Sequence, residues 1–224
     1  MNIVAVNGSP TGSQGSTGRL LAALAEGARA AGAEVTLFEL GQLTVKPCTS
    51  CRTCQQTGAC VITDDYPRIK AAMIAADGIV LASPNYISSV SAQMKALFDR
   101  SFSMFHCQAL HGKYGAGVLA SGGPTYQMAE EYLLHVIGSS GCWKVGSMGT
   151  GGGVIDDPDQ APDVLKEAHD LGGRLADAIK NKQRFPEQEE EREQHFEIMR
   201  WLVTEHKDKW PYEHEYWQTH WTKS

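Results

Sequence analysis

The chain has 224 residues, of which 42% are hydrophobic and 21% are charged, a composition typical of a globular protein. Its formal net charge of -6 argues against a nucleic-acid partner, because phosphate backbones are bound mainly through an excess of Lys and Arg. No apolar run approaches the length that spans a bilayer, and no signal-like stretch follows Met1, so we predict a cytoplasmic protein without a membrane partner.

Short apolar runs alternate along the chain with longer segments of helical periodicity. The predicted strands are Ile3–Val6, Val35–Phe38, Ile79–Ala82, Gly115–Ala120 and Trp143–Met148. The predicted helices are Arg19–Ala31, Tyr66–Ala76, Ala92–Met104, Tyr126–Ile137 and Val164–Lys180. Five strands that are each followed by a helix predict a parallel sheet with both faces covered. Ligands of such sheets bind beyond the carboxyl ends of the strands, so the loops there are the candidate sites.

The loop after the first strand, residues 8–18, is rich in Gly and Ser and directly precedes a helix. Converging backbone N–H groups, the hydroxyls of Ser16 and Thr17 and the helix N-terminus together predict a phosphate cradle. The loop lacks the Gly-Lys-Ser/Thr ending of a nucleotide P-loop and the Gly-x-Gly-x-x-Gly spacing of a dinucleotide fold, which disfavours ATP and NAD. The alternative is a flexible turn in which Ser16 or Thr17 only caps the helix.

Four cysteines lie within thirteen residues after the second strand, at Cys48, Cys51, Cys54 and Cys60. The Cys-x2-Cys-x2-Cys-x5-Cys spacing favours a [4Fe-4S] cluster, because closely spaced thiolates can surround a group of that size. A zinc site would more often split its ligands into two distant pairs. Zinc and free thiols stay open as alternatives.

Two later loops offer contacts for a flat ring. The loop after the third strand contains Pro84, Asn85 and Tyr86, with Tyr86 as the stacking candidate, and the loop after the fourth strand runs Ser121–Gly123. Glycines allow close backbone approach to a ligand, and an aromatic side chain can cover a ring face. Because the carboxyl ends of parallel strands share one edge of the sheet, we expect these loops and the phosphate cradle to form one site.

Several other polar groups receive structural interpretations. Asp64 and Asp65 precede Tyr66-Pro67 and predict a helix start rather than acid chemistry. The segment His106–His111 lacks a fourth metal ligand, and Cys142 is interpreted as a core thiol. The run Gly149–Gly153 is predicted to be a connection at the carboxyl end of the fifth strand, close to the bound ligand.

The chain changes character after Arg184. An acidic segment predicts a helix start, and Phe196, Met199 and Val203 then recur on one helix face. Four of the five tryptophans lie beyond residue 200, at Trp201, Trp210, Trp217 and Trp221. We expect these rings to dock against the same domain or a neighbouring subunit and to complete its core.

These strings together resemble the flavodoxin-like NADPH-dependent FMN reductases and, within them, the iron-sulfur flavoprotein group. The resemblance covers roughly residues 1–180. It rests on Gly8-Ser-Pro with Ser16-Thr17, on the four-cysteine string that continues through Asp64-Asp65, and on Ser83-Pro-Asn-Tyr with the segment Ser89–Arg100. It implies a flavodoxin-like doubly wound α/β fold with five parallel strands in the order 2-1-3-4-5, and a homodimer or homotetramer.

The resemblance also implies two cofactors, FMN and a [4Fe-4S] cluster on Cys48, Cys51, Cys54 and Cys60. The residues implied for FMN are Ser9, Ser16, Thr17 and Gly18 at the phosphate, Pro84, Asn85, Tyr86 and Ile87 along the isoalloxazine, and Ser121, Gly122 and Gly123 at its other edge. No catalytic side chain is assigned, because the flavin itself carries the electrons. A further hypothesis is that the C-terminal aromatic residues cover the flavin and restrict which acceptor enters.

We predict a flavodoxin-like FMN-binding domain at residues 1–183, with a cysteine-rich cluster loop at 47–61, and a helical, aromatic-rich extension at residues 184–224. The implied function is electron transfer between NAD(P)H or a ferredoxin-like protein donor and a small acceptor such as a quinone or an oxygen species, with the cluster as a relay. The alternatives are a non-enzymatic electron carrier and a flavin-dependent dehydrogenase of a specific metabolite.

Overall fold

A computed structural model describes residues 1–221 of the chain. The strands are β1 Asn2–Asn7, β2 Glu34–Glu39, β3 Gly78–Pro84, β4 Tyr114–Ala120 and β5 Trp143–Thr150. The α-helices are α1 Ser16–Ala30, α2 Thr53–Thr57, α3 Tyr66–Ala75, α4 Ala92–Arg100, α5 Phe102–His106, α6 Gln127–Ser139, α7 Ala161–Lys180, α8 Pro186–Glu205 and α9 Pro211–His220. Within residues 1–221, no helix has both the length and the apolar character needed to cross a membrane.

The five strands form one parallel sheet in the order β2-β1-β3-β4-β5, which confirms the predicted fold class. Every residue of β3 and β4 is buried, as expected for central strands with helices on both faces. The strand order reverses between β1 and β3, where Ala5 pairs with Val80. The loops that follow these two strands therefore flank the position where sheets of this type bind ligands.

Helices cover the sheet on both faces. One face packs α1 and α7 through Leu24 and Leu171, and the other packs α3, α4 and α6 through side chains that include Leu97 and Leu133. The α1–α7 contact is so close that a Cβ at Gly172 would collide with the carbonyl oxygen of Leu24. This contact fixes α1, and with it the loop that precedes α1, against the sheet.

The helix predicted at Ala92–Met104 is broken in the structure. It ends at Arg100, and α5 begins after Ser101, whose hydroxyl donates to the carbonyl oxygen of Leu97 at 2.8 Å. A serine hydroxyl that bonds the backbone in this way competes with regular helix geometry. The break makes Arg100 the last residue of α4, beside the segment that carries the cysteines.

The C-terminal helices pack against the domain, as predicted. The indole N–H groups of Trp217 and Trp221 donate to the carbonyl oxygens of His106 and Cys107, each at 2.9 Å. Oε2 of the buried Glu213 lies 2.9 Å from Nδ1 of His106 and accepts its hydrogen bond, which confirms a structural role for this histidine. The tail thus lies over α5 and the short α2, on the side of the molecule that carries the cysteine loop.

Candidate functional site

A cavity of about 360 Å³ opens at the carboxyl ends of β1, β3 and β4. We call it the strand-end cavity. Its lining residues are Ser9, Thr11, Gly15, Ser16, Thr17, Pro84, Asn85, Tyr86, Ala120, Ser121, Gly122, Gly153, Ile155 and Asp156. The structure thus brings together most residues that the sequence assigned to FMN, together with Gly153 from the predicted fifth-strand connection.

The first loop has the form expected of a phosphate cradle. The Ser9 amide donates to Oδ1 of Asn7 at 3.0 Å, and the Ser9 and Thr11 hydroxyls lie 3.0 Å apart. Helix α1 starts at Ser16, so its first-turn N–H groups, which have no partner within the helix, lie at the same end of the cavity. The positive end of a helix favours a phosphate dianion, so the cradle fits the phosphate of FMN.

Three of the predicted FMN residues do not line this cavity. Gly18 packs against the loop itself, since a Cβ there would collide with the carbonyl oxygen of Gly12. Ile87 is fully exposed with a left-handed φ of 52°, and the Gly123 amide donates to Oγ of Ser121. Gly18 therefore shapes the cradle from behind, while Ile87 and Gly123 lie just beyond the lining residues of their loops.

Asn85 provides the clearest sign of a ligand in this cavity. Its Nδ2 donates to Oγ of Ser121 at 3.1 Å and to the carbonyl oxygen of Thr125 at 3.0 Å. Its Oδ1 is buried and has no hydrogen-bond partner among the described residues. A buried acceptor without a donor is costly. A ring that carries an N–H group, as the isoalloxazine of FMN does, would supply the donor.

Two carboxylates, Asp156 and Glu39, lie near the cradle, and only Asp156 could be singled out in the sequence, as an acidic residue after the glycine run. Asp156 lines the cavity and accepts from Nη1 of Arg19 at 2.8 Å. Glu39 accepts from Nδ2 of Asn7 at 3.2 Å, and burial raises the pKa of Glu39 although its hydrogen bonds act in the opposite direction. The Arg19 side chain offsets the negative charge of Asp156 at the end of the cavity where an anion would bind.

A second cavity, of about 340 Å³, lies beside the cysteine loop, and we call it the cysteine cavity. Its lining residues are Cys48, Thr49, Ser50, Cys51, Arg52, Cys54, Cys60, Ile62, Asp99, Arg100 and Phe102. All four spaced cysteines are free thiols and border this one cavity. The structure therefore places the predicted cluster ligands around a common space.

The thiols of this cavity differ in environment. Cys51 is exposed, and hydrogen bonds from the backbone and side chain of Thr53 lower the pKa of its thiol. Cys54 is half-buried, and burial raises the pKa of its thiol, with a further contribution from the negative charge of Glu213. The thiolate form that ligates metals is thus favoured at Cys51 and disfavoured at Cys54 in the absence of a positive group.

The cysteines do not form a preorganised site for a single ion. No three of the Cys, His, Asp and Glu residues within 1–221 are grouped closely enough to hold one metal ion. Zinc needs four ligands at about 2.0–2.3 Å from one point, which this arrangement does not supply. A [4Fe-4S] cluster binds its four thiolates to different irons, and the four cysteines that border this cavity are ligands of the type and number that such a cluster requires.

A buried ion pair that no sequence motif predicts closes the base of the cysteine loop. Nη1 of Arg100 lies 2.7 Å from Oδ2 of Asp64, and both side chains are wholly buried. Asp64 also accepts from the amides of Lys46 and Tyr66, at 2.9 and 3.0 Å. The prediction that Asp64 serves the start of α3 is correct but incomplete, because its principal partner lies 36 residues away.

No described residue of α8 or α9 lines the strand-end cavity. Instead, α9 packs on α2, where a Cβ at Gly58 would collide with the ring of Tyr212. The aromatic tail therefore does not line the strand-end cavity of its own chain, and the hypothesis that it covers a flavin stays a prediction for a neighbouring subunit. Because α2 contains Cys54, the tail supports the cysteine cavity instead.

Comparisons with known proteins agree with this geometry. The family model for NADPH-dependent FMN reductases matches residues 1–151. An iron-sulfur flavoprotein of Archaeoglobus fulgidus is 33% identical over 207 residues, which cover 91% of this chain and 90% of that protein. An iron-sulfur flavoprotein of Methanocaldococcus jannaschii is 31% identical over 191 residues, covering 80% of this chain and 98% of that protein.

Among solved structures, a flavone reductase superposes with a TM-score of 0.67 at 17% identity, over 81% of this chain and 64% of that protein. An NAD(P)H:quinone oxidoreductase of Methanothermobacter marburgensis gives a TM-score of 0.60 at 16% identity, over 78% of this chain and 98% of that one. At these identities the superpositions show the shared flavodoxin-like fold alone. Family model and sequence relatives carry the assignment: the chain belongs to the NADPH-dependent FMN reductase family, within its iron-sulfur flavoprotein group.

Proposed function

We propose that this protein is an FMN-dependent oxidoreductase whose cysteine cavity holds a [4Fe-4S] cluster. It would transfer electrons between NAD(P)H or a ferredoxin-like protein donor and a small acceptor such as a quinone, an oxygen species or another oxidant. Membership of the FMN reductase family supports the flavin half of this proposal. The observation that carries the cluster half is that all four spaced cysteines border one cavity.

The strand-end cavity would hold FMN through groups already in position. The hydroxyls of Ser9, Ser16 and Thr17 and the first-turn amides of α1 would bind the phosphate. Oδ1 of Asn85 would accept a hydrogen bond from the ring, and Tyr86 would lie against it. These residues would orient the cofactor and exclude water from its edge, and none of them would transfer a proton.

The two cavities lie near opposite ends of one helix. The hydroxyl of Ser91 caps α4 by accepting from the Met94 amide and donates to the carbonyl oxygen of Gly8 in the first loop, at 2.6 Å. Arg100 ends the same helix at the cysteine cavity. Nine helical residues at 1.5 Å each span about 13 Å. A single rigid element thus sets the separation of the two proposed cofactor sites.

When both groups are bound, FMN can exchange electrons in pairs and a cluster one at a time, which suits a relay between unlike partners. NAD(P)H would contact the flavin at the mouth of the strand-end cavity. The exposed loop that contains Tyr86 and Ile87 borders that mouth. The homo-oligomeric state and the cytoplasmic location stay predictions, which size-exclusion chromatography with light scattering and cell fractionation would test.

The first experiment is anaerobic purification with flavin, iron and sulfide measured on the same sample. We expect one FMN and about four irons per chain, with a broad absorbance near 400 nm. Cys54→Ala should lose the iron and retain FMN. Cys142→Ala is the matched control, because Cys142 is a buried thiol outside the cavity, as the sequence predicted, and this variant should retain both. Flavin without iron in the unmodified protein would refute the cluster.

Steady-state turnover would then separate an enzyme from an electron carrier. An enzyme should oxidise NADPH or NADH with saturation when a quinone is supplied. A carrier would exchange electrons with a reduced ferredoxin but show no saturable nicotinamide oxidation. The same assay with a panel of acceptors would identify the preferred acceptor class.

A further inference from the structure

We propose that Arg100 is a positioning residue for the cysteine cavity, which closes the base of the cysteine loop and places a fixed positive charge beside the cluster thiolates. This inference rests on the proposed cluster for its electrostatic part. Its structural part concerns the loop itself and stands without a cofactor.

The guanidinium of Arg100 joins the two ends of the cysteine loop. It donates to the carbonyl oxygen of Lys46, before the first cysteine, at 2.9 Å and to that of Ile62, after the last cysteine, at 3.4 Å. It also forms a two-pronged contact with Asp64, at 2.7 and 3.1 Å. All four cysteines therefore lie between two points that one side chain holds together.

Neighbouring bonds reinforce the same closure. The Lys46 amide donates to Asp64, and the Thr44 amide donates to Oδ2 of Asp65 at 2.8 Å. The Asp65 amide in turn donates to the carbonyl oxygen of Thr44 at 2.9 Å. A loop closed in this way before metal arrives has lost part of its conformational freedom already, which reduces the entropic cost of ordering four ligands.

The charge of Arg100 is directed toward the cavity rather than away from it. Arg100 lines the cysteine cavity, whereas its partner Asp64 does not. The Arg100 side chain is 0% exposed, and its Nε has no hydrogen-bond partner among the described residues. A guanidinium is not deprotonated in proteins, so the side chain carries a fixed positive charge. The guanidinium thus stays charged within reach of Cys60.

A positive charge in this position has a predictable effect on a cluster. Reduction adds one negative charge to the cluster and its thiolates, and a buried cation nearby stabilises that reduced form. The reduction potential of the cluster should therefore be higher with Arg100 than without it. Arg52 and Asp99 also line the cavity, but Arg52 is exposed and Lys95 lies 2.5 Å from Oδ1 of Asp99. Arg100 is therefore the buried charge among the lining residues, with its counter-ion Asp64 outside the lining.

The test compares Arg100→Gln and Arg100→Lys with Lys166→Gln, an exposed residue of α7 remote from the cavity. Hydrogen exchange of residues 46–64 is measured in the apoprotein, and the cluster potential is measured by electron paramagnetic resonance titration of the holoprotein. Arg100→Gln should accelerate exchange about tenfold or more. It should also shift the reduction equilibrium about tenfold toward the oxidised form, which is 59 mV for a one-electron couple.

Arg100→Lys separates the two roles. Lysine keeps the charge but cannot form the planar two-pronged contact, so exchange should rise while the potential stays near that of the unmodified protein. If Arg100→Gln does not fold, hydrogen exchange in Arg100→Lys alone still decides whether the two-pronged contact with Asp64 closes the loop.

Unchanged exchange and unchanged potential in both Arg100 variants would overturn the proposal. Absence of iron from the unmodified protein would instead refute the proposed function and the electrostatic role with it. In that case the exchange data on the apoprotein still confirm or overturn the closure of the loop. Equal changes in Lys166→Gln would show that loss of any positive charge suffices, which would also overturn a specific role for Arg100.

Discussion

The strand-end cavity and the cysteine cavity are built on different principles. The first consists of loops at the carboxyl ends of adjacent parallel strands, and backbone groups and hydroxyls dominate its lining. The second lies beside an irregular loop that follows β2 and is held by a buried ion pair from α4 and by helices of the C-terminal tail. The sheet alone positions the first site, whereas three distant segments must assemble to form the second. Damage to those segments should therefore affect the two sites unequally.

Removal of Asp64 should give the largest difference between the effects on the two sites. Asp64→Ala leaves Arg100 as an uncompensated buried charge, which typically costs about 3–5 kcal/mol. Urea unfolding of the variant should show this loss, while protein that remains folded should bind FMN with unchanged affinity. Asp170→Ala, in an exposed i,i+4 pair with Lys166, is the control and should change stability little. An equal loss of FMN affinity would contradict the separation.

The same carboxylate predicts a pH dependence. Burial of Asp64 opposes ionisation, but its bonds to Arg100, Lys46 and Tyr66 outweigh burial and lower its pKa. Because the folded pKa lies below the unfolded value, this stabilisation is present above about pH 4 and is lost as the pH falls through the folded pKa. The free energy of unfolding should therefore fall less steeply with decreasing pH in Asp64→Ala than in the unmodified protein.

Two tryptophans of the tail test whether it supports the cysteine cavity. Trp217 is buried and donates to the carbonyl oxygen of His106, so Trp217→Ala should cost about 3–5 kcal/mol. Trp201 is 60% exposed, so Trp201→Ala should change the free energy of unfolding by no more than about 0.5 kcal/mol. We expect Trp217→Ala to lower the iron content more than the FMN content. The reverse order would show that the tail serves the flavin site.

The phosphate cradle should respond to loss of one hydroxyl. Ser16→Ala removes a proposed donor to a charged phosphate, which is worth about 1.5–3 kcal/mol, or about 10- to 100-fold in FMN affinity. Ser13→Ala is the control, because Ser13 is exposed in the same loop and does not line the cavity. Fluorescence titration of the apoprotein with FMN measures both. Iron content should be the same in the two variants, and a fall confined to Ser16→Ala would indicate that the sites are coupled.

Adjacent glycines of α7 provide a last contrast, in which a single methyl group is added at each position. A Cβ at Gly172 would collide with the carbonyl oxygen of Leu24 in α1, so Gly172→Ala should destabilise the fold by about 1–3 kcal/mol. A Cβ at Gly173 meets no atom within 4 Å, and Gly173→Ala should stabilise α7 by about 0.5–1 kcal/mol. Because α1 carries the cradle, only Gly172→Ala should weaken FMN binding. Thermal unfolding and FMN titration of the two variants would check this, and equal effects would refute the close α1–α7 contact.

Hydrophobic periodicity was sufficient to locate the sheet and its main helices. Alternation of apolar runs and helical segments predicted all five strands, and the resemblance supplied their order. The break at Ser101 was missed because a serine hydroxyl can either face solvent or bond the preceding turn, and only the packed structure decides which. The short α2 was missed because it has too few residues to show a period.

The two sites were predictable to different degrees for a related reason. Loops that follow predicted strands have predictable positions, and the family resemblance then supplied the residues expected around the strand-end cavity. The partnership of Arg100 with Asp64 joins positions 36 residues apart, and neither residue indicates the other in the sequence. The unpartnered Oδ1 of Asn85 likewise appears only when the contacts of its neighbours are known.

The helix that links the two cavities also restricts how this chain can change its length. Its cap, Ser91, bonds the first loop, and its final residue, Arg100, holds the cysteine loop. One inserted or deleted residue between them would rotate Arg100 by about 100° around the helix axis and move it by about 1.5 Å. Such a change would direct the guanidinium away from Lys46 and Asp64 even if every side chain were kept. The number of residues between Ser91 and Arg100 therefore fixes the position and orientation of the guanidinium. Proteins that combine both sites in this manner should tolerate substitutions along α4 far better than insertions.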